Sequence, residues 1–272
     1  MTIRSNDRAL VTGAASGLGL ALTRLLADRG CRVLATDVAA EAPDVLHDLP
    51  LVTYRRLDVR SDGDWAEARD WVQQDWLGLD LLVNNAGVAA GGRIDVVPLK
   101  EWEWVVDINL LGVVRGCSTF APLLKAQRSG HVVNVASAAG LVHPPQMSSY
   151  NAVKAAVVAL SETLSYELGA YDVTTSVVCP TFFRTNLASS LTGSDPDAAE
   201  SARRLIERSR LTADEIAANV LSGVDARRYL ILPDKAARTA YASKRFARPL
   251  YDRKMRQVAA AMARKVGTGQ HR

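Results

Sequence analysis

Residues 8–19 read Arg-Ala-Leu-Val-Thr-Gly-Ala-Ala-Ser-Gly-Leu-Gly, a short apolar run that leads directly into a glycine-rich turn. Helical spacing begins there and continues over residues 20–26. Glycines at such a turn let the backbone approach a pyrophosphate, which the unpaired N–H groups and positive dipole end of the next helix hold. A tight strand-to-helix turn is the simpler alternative. The position between a first strand and a first helix is the context that a dinucleotide site requires, so the stretch predicts dinucleotide binding.

The rest of the chain repeats this alternation of short β-branched runs and stretches with helical spacing. The alternation predicts an α/β fold: one doubly wound, Rossmann-type domain whose sheet is covered by helices on both faces. In one predicted helix the stripe Trp65, Ala68, Val72 and Trp76 is expected to lie in the core. The predicted strands are residues 8–12, 32–36, 52–57, 79–84, 131–136, 173–179 and 229–232.

The sequence contains no internal repeat and no low-complexity linker, so a single domain over residues 1–272 is expected. Its core is predicted at residues 1–232, followed by a helical C-terminal extension at residues 233–272. Residues 189–199, which include Gly193, Asp195 and Pro196, are the best candidate for a mobile loop.

Composition narrows the function classes. The chain has 272 residues, a mean hydropathy near zero and no apolar run long enough to span a membrane, so a soluble globular protein is expected. No N-terminal signal segment is visible, and the cytoplasm is the expected location. Cys31, Cys117 and Cys179 lie far apart without a Cys-x-x-Cys motif, which argues against a disulfide framework and against a metal site.

The net charge of +4 hides a basic C-terminus, because residues 225–272 contain thirteen Lys/Arg and three Asp/Glu. A helical pattern with a break at Pro249 places Tyr251, Met255, Val258 and Met262 on one apolar face. Packing against the domain or a sister subunit is the favoured explanation, and contact with a membrane surface is the less favoured one. Nucleic-acid binding is not expected, since the segment has no recognised reading motif.

Asp37 closes the second predicted strand, twenty-four residues after Gly13. A carboxylate at this position accepts hydrogen bonds from the adenosine ribose hydroxyls and repels a 2′-phosphate. No Arg or Lys stands beside it at Ser16 or Val38, so NAD is favoured over NADP. The alternative is an ordinary polar strand terminus.

Tyr150 and Lys154 lie four residues apart in a stretch with helical spacing, which places a phenol and an ammonium on one helix face. The cation is expected to lower the pKa of the phenol, ~10 in free tyrosine, and to make it a usable acid/base. Taken alone, such pairs are common at solvated surfaces. Ser137 follows a predicted strand, so its hydroxyl is expected at the carboxyl edge of the sheet. Asn109 interrupts an apolar run, where an amide usually bonds locally.

Five motifs in order resemble those of the short-chain dehydrogenase/reductase family over about residues 6–232. The implied fold is a seven-stranded, mostly parallel sheet in the order 3-2-1-4-5-6-7. The matching motifs are the Gly13-x3-Gly17-x-Gly19 turn, Asp58-Val59, Asn84-Asn85-Ala86-Gly87, Asn109, and the set Ser137, Tyr150 and Lys154 followed by the loop with Pro180 and Thr185.

The resemblance implies hydride transfer between a substrate carbon and a nicotinamide, with Tyr150 passing the proton to or from the substrate oxygen. Ser137 would orient that oxygen, and Asn109 would hold a water. Lys154 would bind the nicotinamide ribose and, together with the positive nicotinamide, lower the pKa of Tyr150. The implied catalytic residues are Asn109, Ser137, Tyr150 and Lys154. The implied cofactor-binding residues are Gly13, Ser16, Gly17, Leu18, Gly19, Asp37, Asp58, Val59, Asn85, Ala86, Gly87, Tyr150, Lys154, Pro180, Phe183 and Thr185.

Thr181 departs from the family pattern, which usually has glycine there. Tolerated loop variation is the plainer explanation, and an altered loop or substrate size is the other. His143 is a candidate substrate contact beside Ser137 and Tyr150, although an ordinary loop residue is the favoured alternative. An apolar substrate cavity is expected from Phe182, Phe183, Leu141, Val142, Met147, Leu187 and Leu191.

The leading functional hypothesis is an NAD-dependent oxidoreductase that acts on a hydrophobic secondary alcohol or its ketone. A carbonyl reductase of an acyl or polyketide-like intermediate is the second, and a non-catalytic nucleotide-sensing or scaffold protein is the third. The resemblance also implies a homodimer or homotetramer assembled through the helices that contain Asn109 and Tyr150.

Overall fold

The computed structural model describes residues 2–185 and 193–269 and contains one seven-stranded sheet. Its strand order is β3-β2-β1-β4-β5-β6-β7, and every neighbouring pair is parallel, which confirms the predicted order and fold class. The strands are β1 (Arg8–Thr12), β2 (Arg32–Asp37), β3 (Val52–Arg56), β4 (Leu81–Asn84), β5 (His131–Val135), β6 (Thr174–Val178) and β7 (Leu230–Ile231).

Helices connect the strands and cover both faces of the sheet. Short π-helical segments continue two of them, at Val72–Trp76 after α3 and at Asp107–Leu111 between α4 and α5. The helices are α1 (Gly17–Asp28), α2 (Asp44–His47), α3 (Asp62–Trp71), α4 (Leu99–Val106), α5 (Gly112–Gln127), α6 (Ala139–Val142), α7 (Ser148–Gly169), α8 (Pro196–Glu207), α9 (Ala213–Asp225), α10 (Lys235–Phe246) and α11 (Arg248–Gly269).

Two apolar cores lie on opposite sides of the sheet. One forms where α1 and α9 pack against it, with Leu22 and Ile216 fully buried. The other forms under α3, α5 and α7, where Trp65 meets Phe120 edge to face at a centroid distance of 6.4 Å. The predicted tryptophan stripe belongs to this second core, because Trp65 and Trp76 are both buried.

The C-terminal helices bend close to the predicted position. The break falls at Ala247, and Pro249 lies in the first turn of α11, where its missing N–H removes no helical hydrogen bond. The side chains of Tyr251, Met255 and Val258 are half-buried. None of the helices in the described part of the chain is both long and apolar enough to cross a membrane.

The loop expected at residues 189–199 is in part helical. Pro196 begins α8, and the Asp195 carboxylate caps this helix by accepting from the backbone N–H of Ala198. A proline in the first turn after an aspartate is a helix-start signal that the sequence reading took for loop punctuation. Residues 189–192 lie outside the described residues.

Candidate active site

A cavity of about 1140 Å³ opens at the carboxyl ends of β1, β2, β4, β5 and β6. The strand order reverses there: β2 and β3 are added on one side of β1, and β4 and the later strands on its other side. Open α/β sheets bind their ligands at the carboxyl ends of the strands at such a point. Residues from the glycine turn, Asp37, Tyr150 and Lys154 all line this one cavity. The fold therefore brings the predicted dinucleotide and acid/base motifs to one place.

The glycine turn is shaped to leave backbone exposed. Gly13 and Gly17 have positive φ angles of 66° and 55°, and a Cβ added at Gly13 would lie 2.8 Å from the Cα of Ala86. A Cβ at Gly19 would collide with the carbonyl oxygen of Gly13. The Nδ2 of Asn85 braces the turn by donating to the Thr12 oxygen at 2.8 Å and the Gly13 oxygen at 3.2 Å. This cradle ahead of α1 fits a pyrophosphate.

Asp37 faces the same turn from the end of β2. Its Oδ2 accepts from the backbone N–H of Ala15 at 3.0 Å, and its Oδ1 accepts from that of Val38 at 2.8 Å. These two hydrogen bonds fix the Asp37 carboxylate beside the turn, and Asp37 is one of the residues that line the cavity.

Asp58 and Val59 lie at the edge of the cavity, as their family motif implies. The Arg60 guanidinium donates to the Asp58 carboxylate at 2.6 Å and holds the pKa of that carboxyl below its usual value. Arg60 also lines the cavity but was absent from the sequence-based candidates; its position two residues after Asp58 was the available signal.

Asn109 lies fully buried in the π-helical segment between α4 and α5. Its Oδ1 accepts from the N–H of Val88 at 2.8 Å, and its Nδ2 donates to the oxygen of Val88 at 2.9 Å. A Cβ on Gly87 would come within 2.9 Å of that Oδ1. The amide therefore fixes the backbone that follows β4, and each of its polar atoms has a protein partner where the resemblance implied a water.

Tyr150 and Lys154 lie on the buried face of α7, with 9% and 4% of their surfaces exposed. Ser137 lies beside the Tyr150 hydroxyl, where hydrogen bonding from its side chain lowers the pKa of the phenol, and its Oγ accepts from the N–H of Ala139 at 3.1 Å. The Lys154 ammonium donates to the carbonyl oxygen of Val135 at 2.9 Å and lies 5.8 Å from the centre of the Tyr150 ring. Phenol, hydroxyl and ammonium thus meet at the end of β5.

Burial dominates the ionisation of this group. It raises the pKa of Tyr150 to about 12, and the hydrogen bond from Ser137 opposes the rise only partly. The same cause lowers the pKa of Lys154 to about 8. In the polypeptide alone, burial therefore sets the pKa of Tyr150 above that of free tyrosine, contrary to what the Tyr150–Lys154 spacing indicated. The lowering that the resemblance assigns to Lys154 together with the positive nicotinamide stays a prediction.

The family model described as short chain dehydrogenase matches residues 7–195. The chain belongs to this family. Its fold is the family's Rossmann fold, and members of the family are oxidoreductases that bind a nicotinamide cofactor.

Individual relatives agree with the assignment. A "CLA biosynthesis dehydrogenase/reductase" of Lactiplantibacillus plantarum is 35% identical over 185 residues, which cover 65% of each chain and so just under two thirds of that protein. A "cis-4-hydroxycyclohexanecarboxylate dehydrogenase" of Sinomonas cyclohexanicum is 36% identical over 74% of this chain and 82% of its own. The crystal structure of a Burkholderia phymatum family member in complex with NAD has a TM-score of 0.86 and 31% identity, covering 92% of this chain and 96% of that one.

Thr181, the departure from the usual short chain dehydrogenase loop, has a specific partner. Its backbone N–H and its Oγ1 donate to the two carboxylate oxygens of Asp234 at 3.0 and 2.9 Å. Asp234 is buried and also caps α10 by accepting from the N–H of Ala237. Thr181 therefore links the loop that begins at Pro180 to the C-terminal helices.

The substrate side of the short chain dehydrogenase cavity agrees with the expectation only in part. Phe182, Phe183, Val142 and Met147 line the cavity, whereas Leu141 is not in the lining and Leu187 and Leu191 lie outside the described residues. The sequence did not place the C-terminal helices at the site. α10, α11 and the residue between them supply Ala236, Thr239, Ala240, Ser243, Ala247, Leu250, Tyr251, Lys254 and Met255.

His143 does not reach the cavity, in contrast to its expected contact with substrate. Its Nε2 pairs with the Gly140 oxygen at 3.0 Å, and its Nδ1 pairs with the Lys244 ammonium at 2.6 Å. Burial and the charge of Lys244 lower its pKa. Both ring nitrogens are thus engaged with the protein, and the residue connects α6 to α10.

Replacement of Lys154 by methionine is expected to stabilise the cofactor-free protein at pH 7. The gap between 10.5 and about 8 corresponds to about 3 kcal/mol of burial penalty, and loss of the Val135 hydrogen bond removes ~1–2 kcal/mol of the gain. The net gain of about 1 to 2 kcal/mol is measured by urea unfolding. It shrinks between pH 8 and 10.5, because the unfolded lysine still binds a proton there and wild-type stability rises with pH.

The control for this measurement is Lys100→Met, at an exposed position in α4, which should change the free energy of unfolding by less than about 0.5 kcal/mol. A loss of stability in Lys154→Met at pH 7 would contradict the burial penalty assigned to this ammonium.

Proposed function

We propose that this chain is an NAD-dependent oxidoreductase that interconverts a hydrophobic secondary alcohol and its ketone. The observation that carries the proposal is the meeting of Tyr150, Ser137 and Lys154 in the cavity that also contains the glycine turn. A nucleotide sensor or scaffold would have no use for a buried phenol and a buried ammonium, both of which are costly to ionise.

The side chains divide the proton chemistry between them. Ser137 donates to the substrate oxygen and holds it within ~2.6–3.2 Å of the Tyr150 hydroxyl, the range that proton transfer requires. Tyr150 takes the proton from an alcohol or gives it to a ketone. Lys154, bonded to the Val135 oxygen, holds a positive charge 5.8 Å from the centre of the Tyr150 ring and favours the ionised form of the phenol. When bound, NAD supplies the ring that accepts the hydride.

The preference for NAD rests on Asp37. Its carboxylate, fixed by the N–H groups of Ala15 and Val38, is available at the cavity wall for ribose hydroxyls and would repel a 2′-phosphate. This charge also counts against the second candidate, a reductase of an acyl or polyketide-like ketone, because biosynthetic reduction commonly draws on NADPH. The Lactiplantibacillus plantarum relative is named for both oxidation and reduction, so its name supports neither direction over the other.

An apolar substrate is supported by the lining of the cavity. Phe182, Val142 and Met147 face it, together with Ile206 of α8 and Leu250 of α11. Ligand sites of this kind are mostly apolar, with a few polar groups that fix orientation. The relative named for a hydroxycyclohexanecarboxylate supports an alcohol on an apolar ring or chain.

Tyr150→Phe is expected to lower turnover by at least ~10²- to 10⁴-fold, because the variant has no proton to exchange with the substrate oxygen. NADH formation from a panel of hydrophobic secondary alcohols is followed by absorbance, and NAD binding by calorimetry. NAD should still bind, since the turn at Gly13 is untouched.

Tyr166→Phe, on the exposed face of the same helix, is the control and should keep the wild-type rate. Wild-type turnover in Tyr150→Phe would contradict the assignment of Tyr150 as the acid/base.

Asp37→Asn is expected to reduce the preference for NADH over NADPH by about tenfold, since a repulsive charge near the 2′-phosphate is removed. Dissociation constants for both cofactors are measured by calorimetry. Asp44→Asn, an exposed position in α2, provides the matched control. A wild-type protein that binds NADPH more tightly than NADH would overturn the cofactor proposal.

We also propose assembly of a homodimer or homotetramer through the face near Asn109 and Tyr150. Leu111 and Val114, on the helical segments beside Asn109, leave 39% and 37% of their surfaces exposed, and a second copy would cover them. Light scattering should give a dimer or tetramer mass for the wild type and a lower mass for Leu111→Glu/Val114→Glu. A wild-type monomer at micromolar concentration would contradict this proposal.

A further inference from the structure

The C-terminal helices form one wall of the substrate cavity. Leu250 and Met255 of α11 and Ala240 of α10 line it, facing a lining that includes Phe182 and Val142. The basic C-terminal segment, for which packing against the domain or a sister subunit was the favoured expectation, therefore also borders the proposed substrate cavity.

Three contacts fix this wall relative to the reacting groups. The Tyr251 hydroxyl donates to the Val142 oxygen at 2.6 Å, and the Lys244 ammonium donates to the Leu141 oxygen at 2.6 Å. Both acceptors belong to α6, the helix that follows Ser137. Asp234 ties the start of α10 to Thr181. A binding group on α11 is thus held at a set position with respect to the Tyr150 hydroxyl, which is what selective recognition requires.

Lys254 is the charged side chain at this end of the cavity, within the residues that the structure describes. The other charged residues of the lining lie elsewhere: Asp37, Asp58 and Arg60 border the turn and the strand ends where the adenosine is expected, and Lys154 lies beside Tyr150. The nearby Asp252 carboxylate is paired with Arg248 at 2.8 Å. None of the salt bridges between described residues involves Lys254, so its exposed ammonium stands unneutralised at the rim of an apolar space.

We infer that the substrate is an amphipathic anion, a secondary alcohol or ketone on an apolar chain or ring whose distal carboxylate binds Lys254. The hydrocarbon packs against the apolar wall, and the reacting oxygen hydrogen-bonds to Ser137 and Tyr150. The Lys254 ammonium binds the carboxylate through a charge-assisted hydrogen bond. This inference rests on the proposed function. The ammonium is exposed at the rim, so its effect is moderate and weakens as salt rises.

The probes are (ω−1)-hydroxy fatty acids of eight to fourteen carbons and the matching amides, which differ only in the charge of the distal group. At one or more chain lengths the wild type should favour the acid by about 5- to 10-fold in kcat/KM with NAD. Lys254→Met should bring the ratio of acid to amide close to one. Lys254→Arg should retain most of the ratio, and Arg256→Met, an exposed cation on α11 outside the lining, should leave it as in the wild type.

Binding of the same probes in the presence of NADH is measured by calorimetry, which needs no turnover. Preference for the acid that depends on Lys254, without oxidation of any probe, would support the anion site and contradict the proposed hydride transfer. Three results would each overturn the anion site. They are oxidation of acid and amide at equal rates, a preference for the acid that survives in Lys254→Met, and no binding of the probes at any chain length.

Discussion

Burial of the Tyr150 phenol and the Lys154 ammonium against the end of β5 is the constraint on which the site depends. Removal from water raises the pKa of the phenol to about 12, which keeps it protonated near neutral pH, and lowers that of the ammonium to about 8, at which the side chain still carries its charge at pH 7. The Val135 oxygen and Ser137 fix their positions. The charge of an oxidised nicotinamide would act here with little screening, which would link the acid/base function to occupancy of the neighbouring dinucleotide cradle.

Features encoded by local pattern were predictable from sequence. The alternation of β-branched runs and helical stripes predicted an α/β fold, and the family motifs added the sheet order. Trp65 and Trp76 lie in the core, as their helical spacing indicated. The turn at Gly13 precedes α1 as expected, because glycine conformation and helix start are short-range properties. Asp37 lies beside that turn because β1 and β2 are parallel and therefore end at the same edge of the sheet.

Features that depend on distant contacts were not predictable. Thr181 and Asp234 are 53 residues apart, and Lys244 and His143 are 101 apart, so no periodicity could pair them. The contact with Lys244 holds His143 away from the cavity. The bond to Asp234 gives Thr181 a structural role that its position in the sequence left open. The basic C-terminal segment likewise became a wall of the cavity only through tertiary packing, which a pattern of charges does not specify.

Titration of Tyr150 with and without NAD tests the central claim most directly. Ring-labelled tyrosine is observed by carbon-13 NMR, with Tyr150→Phe to assign the resonance. The account predicts a pKa of about 12 in the cofactor-free protein and a value lower by about 1 to 3 pH units with saturating NAD. The same pKa in both states, or a phenol already ionised near neutral pH without NAD, would contradict the claim that burial holds this group inactive until the cofactor arrives.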